Sequence, residues 1–446
     1  AAYCVIYVFL LLITLPPLYR NLSDGFAPVR ALFTPPAEGG IVAHLKAVED
    51  KIEDAPFTEA PRYLVQNVLT RGPLQEGNRK THIGRDGWLF FKTALSALGG
   101  YGPVRPEPDS VAKDPNRPPW RSPLGAITTF ASQLATTDTK LLLVPIPVKP
   151  MIYPEHLGIE ADAPIAHPDA DDFYRQIAGL PNVDVLDLSG AFWRAKASVQ
   201  VFLKQDTHWT PEGMELAAEQ IRLWLDENPW SDPAHGLQAG ERERRSSRGD
   251  LVEKLGIGDG GFAPESADAA PVQGETRDKY SPVVLLGDSF TNIYSDEIGL
   301  RWGGGAGFAE QLALRLGMPL DVIAINGGAA TEVREELAKR KGAATLMREK
   351  KLVIWAIAAR DLFLSETAAR EGRIEWDDVE FDTREPDAPV RAGDSAPEGV
   401  EPIEVKAKLV AKSEIDDPKT TDYRELLYAA EYELLETVAG EAPETE

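Results

Sequence analysis

The chain has 446 residues but only one cysteine, Cys4. A single thiol cannot build a disulfide framework or a thiolate metal site within one chain. Histidine is also scarce, and the six imidazoles show neither HxxxH nor HxH spacing. Because clustered imidazoles and thiolates are the usual ligands of a catalytic zinc, the sequence favours chemistry without a metal.

Positive charge is the second shortage. The chain carries 47 Lys and Arg against 71 Asp and Glu, a net charge of −24. This balance argues against nucleic acid and against an anionic lipid surface as partners. The excess is uneven, because residues 366–446 hold 24 acidic and 9 basic side chains. We therefore predict that 366–446 is a separate acidic C-terminal extension, in which the runs 403–411 and 425–440 are candidate strands of a small β module.

The start of the chain lacks any charge before Arg20, in the stretch "YCVIYVFLLLITLPPLY". A helix of about 19 residues reaches roughly 28 Å, close to the thickness of a bilayer core. We expect residues 1–22 to form a membrane anchor; a cleaved signal peptide and a buried core helix are the alternatives. An anchor or a signal peptide places the remainder outside the cytoplasm. Residues 23–79 are predicted to be a linker followed by an amphipathic segment.

Residues 80–365 alternate between strand and helix patterns, as in a doubly wound α/β domain. The strand candidates are apolar throughout, which is typical of strands buried on both faces of a parallel sheet. They are 141–148, 183–188, 199–203, 283–287, 321–325 and 352–358. Helix patterns cover 123–136, 211–227, 306–317 and 331–341, and Thr210 and Pro211 predict the start of the second. Residues 229–280 interrupt the alternation and are predicted to be a long insertion.

Two short motifs carry candidate chemistry. In "VVLLGDSFTN", Ser289 follows a buried strand and a small Gly287 that allows a sharp bend, so the serine reaches the carboxyl edge of the sheet. In "DTHW", His208 follows Asp206 by two residues. Serine needs a base to act as a nucleophile, and an aspartate can orient that base. The sequence thus predicts a Ser289–His208–Asp206 triad. The alternatives are a helix-capping serine and a buried histidine that a neighbouring carboxylate satisfies.

These motifs resemble those of SGNH-type hydrolases. The Asp-x-His motif precedes GDS here, an order that the chain shares with the alginate O-acetyltransferase family of the bacterial cell envelope. Three further stretches are similar to that family: "GRDGWLFF" (84–91), "LLLVPIPVKPMIYPEHL" (141–157) and "LVIWAIAARDLF" (352–363). The resemblance implies an SGNH-like α/β/α sandwich with a mainly parallel sheet over residues 80–365, with Ser289, His208 and Asp206 as the catalytic triad.

The resemblance also implies a function. The protein is expected to transfer acetyl groups to hydroxyls of an extracytoplasmic polysaccharide, on the periplasmic side of the inner membrane. It needs no cofactor. Acetyl-CoA is not available outside the cytoplasm, so a membrane-bound O-acyltransferase partner is expected to supply the acetyl group. An acetyl esterase of the same fold and a non-catalytic envelope scaffold are the alternatives.

Other residues are weaker candidates. The oxyanion glycine and asparagine of SGNH enzymes are not obvious in this sequence, and Asn326, Asn292 and Gly305 are the candidates for that role. Arg360 follows the last strand and is a candidate for substrate binding or for a structural role. Lys149, Tyr153 and Trp209 are candidates to line the cleft. Trp88 and Phe90 are predicted to lie in the core.

Overall fold

The computed structural model describes residues 66–67, 70, 76–105, 121–226, 229–232, 235–258, 261–295, 300–340, 342–382, 404–412 and 430–439. The predicted anchor, residues 1–22, lies outside these ranges, as does most of the predicted segment 23–79. Within the described part of the chain, none of the helices combines the length and the apolar character that crossing a membrane requires. The chain divides into two compact units, residues 1–386 and 387–446.

The described strands form one central sheet and several two-stranded ribbons. In chain order they are β1 (Thr81–Ile83), β2 (Leu89–Phe91), β3 (Lys140–Ile146), β4 (Val183–Val185), β5 (Gln238–Ala239), β6 (Glu243–Ser247), β7 (Glu265–Ala269), β8 (Val272–Gln273), β9 (Val283–Gly287), β10 (Asp321–Ala324), β11 (Leu352–Ala358), β12 (Glu404–Lys412) and β13 (Ala430–Ala439). The central sheet has five strands in the order β10-β9-β11-β3-β4, and every neighbouring pair is parallel.

Helices cover both faces of this sheet. The described α-helices are α1 (Lys92–Ser96), α2 (Pro123–Ala135), α3 (Lys149–Ile152), α4 (Ala170–Ala178), α5 (Ser189–Ala195), α6 (Pro211–Leu225), α7 (Asp250–Leu255), α8 (Ser289–Asn292), α9 (Phe308–Leu316), α10 (Glu332–Lys339), α11 (Ala343–Leu346), α12 (Ala359–Phe363) and α13 (Glu366–Glu371). Short 3-10 helices span Arg85–Gly87 and Pro154–Leu157.

The strands are apolar throughout because each face of the sheet meets its own buried cluster. On one face, Leu142 and Val144 of β3 pack with residues of α6 and α9. On the other, Leu141 and Leu143 pack with residues of α2, α4 and α10. This is the α/β/α sandwich expected from the sequence. Trp88 and Phe90 are buried in the first cluster, as predicted.

Helix α6 begins where the sequence predicted. Thr210 is the N-cap, and its Oγ1 accepts a hydrogen bond from the backbone N–H of Gly213 at 3.2 Å. Pro211 occupies the first helical position, where its missing N–H costs nothing. Residues 206–209 directly precede this cap, so the start of α6 fixes the position of the turn that they form.

The predicted strand 199–203 is not part of the sheet. Instead, residues 201–203 pair with residues 208–210 in a local hairpin. Thr210 N–H donates to Val201 O and Leu203 N–H donates to His208 O, both at 3.1 Å. Phe202 and Trp209 form an isolated antiparallel bridge. The prediction was wrong because a short apolar run satisfies its backbone equally well in a local hairpin. That hairpin holds the DTHW turn.

The insertion 229–280, predicted as a long loop, contains ordered elements. β5 pairs with β8 and β6 pairs with β7, both antiparallel. Helix α7 buries Leu251, Val252 and Leu255 in a small cluster with Leu89 of β2. This packing brings the start of α7 against the DTHW turn.

The packed body of the first unit continues beyond residue 365, where the sequence predicted a boundary. Ala369, Trp376 and Val379 are buried in the same cluster as one face of the central sheet. In the second unit, β12 and β13 pair antiparallel. The two runs chosen as strand candidates in the extension, 403–411 and 425–440, thus contain strands.

Leu143→Ala tests the central sheet. Leu143 is fully buried on β3, so truncation should lower the free energy of unfolding by about 2–5 kcal/mol through lost burial and a residual cavity. Leu223→Ala is the matched control, because Leu223 is 54% exposed and should change stability by no more than about 0.5 kcal/mol. Urea unfolding of both variants measures the difference. Equal effects would contradict the burial of β3 in the core.

Candidate active site

Ser289 lies where β9 ends and α8 begins. Gly287 permits this tight turn, because a Cβ there would lie only 2.0 Å from Thr291 Oγ1. Asp288 caps α8, its carboxylate accepting a hydrogen bond from Phe290 N–H at 2.8 Å. Asp288 and Phe290 are buried, whereas Ser289 is only half-buried. The turn therefore presents the serine hydroxyl at the carboxyl edge of the sheet.

The structure brings the three residues of the predicted triad together. Ser289 Oγ and His208 Nε2 are 2.8 Å apart, although the residues are 81 positions apart in the chain. His208 Nδ1 lies 2.6 Å from Asp206 Oδ1. The hydroxyl, the imidazole and the carboxylate thus form one continuous chain of hydrogen bonds, which is the arrangement of a Ser-His-Asp nucleophilic site.

The Asp206 carboxylate is buried and fully hydrogen-bonded. Besides the His208 ring, Oδ1 accepts the backbone N–H of His208 at 3.1 Å. Oδ2 accepts the backbone N–H of Asp250 and the indole N–H of Trp302, each at 3.1 Å. Burial by itself would raise the pKa of Asp206, but His208 and these backbone N–H groups outweigh it and hold the pKa below its usual range. The carboxylate is therefore ionised at neutral pH.

Asp250, which the sequence did not single out, anchors the turn. Its carboxylate accepts Thr207 N–H at 2.6 Å and the Thr207 hydroxyl at 2.8 Å. Lys254 Nζ donates to the same carboxylate at 2.7 Å. The preceding Gly249 approaches so closely that a Cβ would lie 2.1 Å from Gln205 O. The insertion thus forms one wall of the site. In the sequence, the only sign of this role was a glycine followed directly by the first residue of a helix.

Asp206, His208 and Asp250 also form a group of metal-type ligands. Their ligand atoms lie within 4.8 Å of one another. Each of these atoms is already engaged: the Asp206 and His208 atoms with each other, and the Asp250 oxygens with Thr207 and Lys254. A cation would have to break these hydrogen bonds. The donor set therefore fits a triad with its supporting carboxylate better than a metal site.

Trp209 lies in the core between the loop of His208 and the loop of Ser289, and it does not line a cleft. It is fully buried, and its indole N–H donates to Phe290 O at 3.1 Å. In return, the Tyr294 hydroxyl donates to Trp209 O at 2.9 Å. The proposal that Trp209 faces the cleft is thus not supported. The two hydrogen bonds connect the loop that carries His208 to the loop that carries Ser289.

Lys149 and Tyr153 were also candidates for substrate contact, and the structure gives both a buried, structural position. Lys149 Nζ donates to Leu89 O at 2.8 Å and to Lys204 O at 3.0 Å. Burial lowers the pKa of Lys149 to about 8. The Tyr153 hydroxyl accepts the N–H of Val201 at 3.0 Å. Both side chains form hydrogen bonds with backbone groups that support the DTHW hairpin.

The three residues predicted as candidates for the oxyanion site lie in two different places. Asn292 Nδ2 donates to Ala324 O at 3.1 Å and to Asn326 Oδ1 at 3.0 Å, so both asparagines lie at the neighbouring ends of β9 and β10. Asn326 is exposed. Gly305 has a positive φ of 71°, and its carbonyl accepts Val272 N–H at 2.9 Å. The structure thus pairs the two asparagines near Ser289 and links Gly305 to the insertion.

Arg360 lies beside the nucleophile turn. It follows β11, the strand next to β9, and its guanidinium is 5.8 Å from the ring of Phe290. Nε is 3.2 Å from Asp361 Oδ1, and the side chain is only 10% exposed. Arg360 also lines a cavity of about 280 Å³ at the carboxyl ends of β3 and β11. Burial raises the pKa of Asp361 to about 6, an effect that Arg360 opposes and Asp288 reinforces.

Gly249→Ala tests the role of the insertion. The added methyl must displace the Gln205–Asp206 backbone, and a displacement of about 1 Å costs roughly 100-fold in the rate of an aligned reaction. We therefore expect hydrolysis of a small acetyl ester to fall by about 100-fold. Gly99→Ala is the matched control, because nothing lies within 4 Å of a Cβ at that exposed position. Full activity in Gly249→Ala would show that the insertion does not position Asp206.

Asp361→Asn tests the buried acid beside Arg360. The pKa of this group rises to about 6 in the folded protein, against about 3.9 in an unfolded chain, so protonation favours folding. The stability it contributes is present below pH 4 and is lost as the pH rises through 6. The variant should therefore lose less stability than wild type between pH 4 and pH 7 in urea unfolding. The exposed Asp162→Asn should follow wild type, and a wild-type profile in Asp361→Asn would refute the assignment.

The chain is similar in sequence to known proteins. A family model described as an SGNH hydrolase-like domain of the acetyltransferase AlgX matches residues 82–359. A probable alginate O-acetylase AlgJ from Pseudomonas aeruginosa is 32% identical over 181 residues, which are 40% of this chain and 42% of that protein. The AlgJ of Pseudomonas putida is 33% identical over 149 residues, 33% of this chain and 34% of that protein. The chain thus matches less than half the length of either relative.

Solved structures give similar matches. The O-acetyltransferase domain of Pseudomonas putida AlgJ is 24% identical, with 66% of this chain and 98% of that chain covered and a TM-score of 0.46. Pseudomonas aeruginosa AlgX is 17% identical over 62% of this chain and 61% of that chain, with a TM-score of 0.44. Because the family model covers more than half of the chain, including all three residues of the hydrogen-bonded triad, the protein belongs to the AlgX family of SGNH hydrolase-like acetyltransferases.

Proposed function

We propose that the protein is an O-acetyltransferase that carries an acetyl group on Ser289 and passes it to a sugar hydroxyl. The observation that carries this proposal is the unbroken chain of hydrogen bonds from Ser289 through His208 to Asp206, at the carboxyl edge of a parallel sheet. Sites of α/β proteins lie at this edge. Family membership supports the same reaction class.

The proposed reaction has two halves. Ser289 Oγ attacks the carbonyl carbon of the acetyl donor while His208 Nε2 accepts its proton. The tetrahedral intermediate then collapses, the donor's leaving group takes the proton from His208, and acetyl-Ser289 remains. A sugar hydroxyl next gives its proton to His208 and attacks the acetyl-serine, and the released Ser289 oxygen recovers that proton. Asp206 holds the imidazole in one tautomer and stabilises the imidazolium in both halves. No cofactor takes part.

The developing oxyanion needs hydrogen-bond donors near Ser289. The backbone N–H of Ser289 has no acceptor among the described residues, so it is free to donate to the substrate. The Asn326 side chain is exposed, and Asn292 holds its carbonyl oxygen at 3.0 Å. This contact leaves the Asn326 amide nitrogen available as a second donor. We propose Ser289 N–H and Asn326 Nδ2 as the oxyanion site.

The substrates follow from the relatives. Their names describe alginate O-acetylation, so the acceptor proposed here is an extracytoplasmic polysaccharide of the alginate type. The acetyl group would come from a membrane-bound O-acyltransferase. Residues 1–22 would anchor the protein on the periplasmic side of the inner membrane, and the SGNH-like body would carry the catalysis. The first part of the predicted extension 366–446 belongs to that body.

An acetyl esterase is the second candidate, since water can reach a half-buried Ser289 as well as a sugar hydroxyl can. The two activities share the first half of the reaction and differ in what accepts the acetyl group. A non-catalytic scaffold is less well supported, because the three residues of the triad are all present and aligned.

Ser289→Ala tests the proposal. With an activated acetyl ester and an oligouronate acceptor, wild type should place acetyl groups on the sugar, as mass spectrometry of the oligosaccharide would show. Loss of the nucleophile should reduce the rate on the order of 10⁴- to 10⁶-fold. The exposed Ser266→Ala is the control and should match wild type. Free acetate without acetylated sugar would favour the esterase, and a Ser289→Ala rate within tenfold of wild type would exclude Ser289 as the nucleophile.

A further inference from the structure

Two side chains donate to the triad carboxylate within the described part of the chain, those of His208 and Trp302. The indole Nε1 of Trp302 lies 3.1 Å from Asp206 Oδ2. The other donors are backbone groups, the N–H of His208 on Oδ1 and the N–H of Asp250 on Oδ2. The imidazole of His208 contacts Oδ1. The indole therefore holds the oxygen that the imidazole does not contact.

The two donors on Oδ2 fix the rotation of the carboxylate about its Cβ–Cγ bond. This kind of terminal torsion is broad and roughly twofold, so by itself it defines the orientation of the carboxylate only weakly. Oδ1 of Asp206 is 2.6 Å from His208 Nδ1, and a rotation would misalign that short contact. His208 Nε2 is in turn 2.8 Å from Ser289 Oγ. The indole N–H thus affects the base through the carboxylate.

The loop that carries Trp302 has a defined shape. Trp302 is 1% exposed, and its ring lies 6.3 Å from the Tyr294 ring in an edge-on arrangement. Ala306 N–H donates to Tyr294 O at 3.0 Å, which closes the loop. Arg301, directly before Trp302, has a positive φ of 64°, a conformation that costs energy for a residue with a side chain. Such a residue persists only where its surroundings determine its position, and here it precedes the donor to the triad.

We propose that Trp302 is a positioning residue for the reaction: its indole N–H fixes the Asp206 carboxylate, which in turn aligns the imidazole of His208. Because the side chain is buried, it acts through the carboxylate and not by contact with a substrate. This inference rests on the proposed function for the role of the triad, but the hydrogen bond that it concerns can be measured without turnover.

Trp302→Phe removes the N–H and keeps an aromatic ring in the core. In hydrolysis of p-nitrophenyl acetate, kcat should fall by about tenfold and KM should stay within about twofold of wild type, because misalignment affects the transition state more than substrate binding. Trp355→Phe is the matched control. Trp355 is also buried, and its indole N–H donates to Ala329 O at 2.8 Å in the cluster on the other face of the sheet. It should keep the wild-type kcat.

The Asp206→Asn background separates a positioning role from a purely structural one. A group that acts through the carboxylate has little left to align there, so the addition of Trp302→Phe should change kcat by less than about twofold. A group that only stabilises the fold should lower kcat by the same factor in both backgrounds. Such additivity would overturn the proposal.

A second measurement needs no turnover. The proton between His208 Nδ1 and Asp206 Oδ1, in a hydrogen bond of 2.6 Å, should give a strongly deshielded proton NMR signal that Asp206→Asn abolishes. Trp302→Phe should shift or broaden this signal, whereas Trp355→Phe should leave it unchanged. If Trp302→Phe does not fold, β-(3-benzothienyl)alanine at position 302 replaces only the N–H by sulfur and should have the same effect. An unchanged signal in either folded variant would overturn the positioning role.

The outcome separates from that of the proposed function. A signal that depends on Trp302, in a protein that turns over no acetyl ester and transfers no acetyl group, would refute the proposed activity and keep the fixing of the carboxylate by Trp302. Wild-type acetyl transfer by Trp302→Phe, with an unchanged signal, would do the reverse.

Discussion

The buried carboxylate of Asp206 is the group on which the geometry of the site depends. Its hydrogen bonds come from three separate parts of the chain: the DTHW turn, the start of α7 in the insertion, and Trp302 before α9. An ionised carboxylate without these partners would be several kcal/mol less favourable at this depth. The three parts together stabilise the buried carboxylate, and in this arrangement His208 Nε2 lies 2.8 Å from Ser289 Oγ.

The same constraint explains why the supporting residues are large and buried. The indole N–H of Trp209 donates to Phe290 O, and the Tyr294 hydroxyl donates to Trp209 O, so the loop that carries His208 is bound to the loop that carries Ser289. Lys149 and Tyr153 satisfy backbone groups beneath the hairpin that carries His208. All four side chains are buried and hydrogen-bonded within the protein. Ser289, His208 and the exposed Asn326, with Arg360 beside them, are therefore the residues that we propose for the chemistry.

The sequence predicted the parts of the structure that depend on local patterns. Apolar runs located five strands of the parallel sheet, and Thr210 with Pro211 located the start of α6. Ser289, His208 and Asp206 were found because each lies in a short motif with a recognisable chemistry. The strand assigned to 199–203 was wrong, because apolarity alone does not distinguish a sheet strand from one arm of a local hairpin. Asp250 was missed because its partner Thr207 is 43 residues away, and no periodicity reports such a contact.

The most direct measurement of the account is the site of acylation. Wild-type protein is mixed with an activated acetyl ester such as p-nitrophenyl acetate, quenched in acid during turnover, digested and analysed by mass spectrometry. The account predicts one acetyl group on the peptide that contains Ser289, formed within the first turnover and lost when an acceptor is added. Turnover with no acetylated Ser289, or with the acetyl group on another side chain, would contradict it.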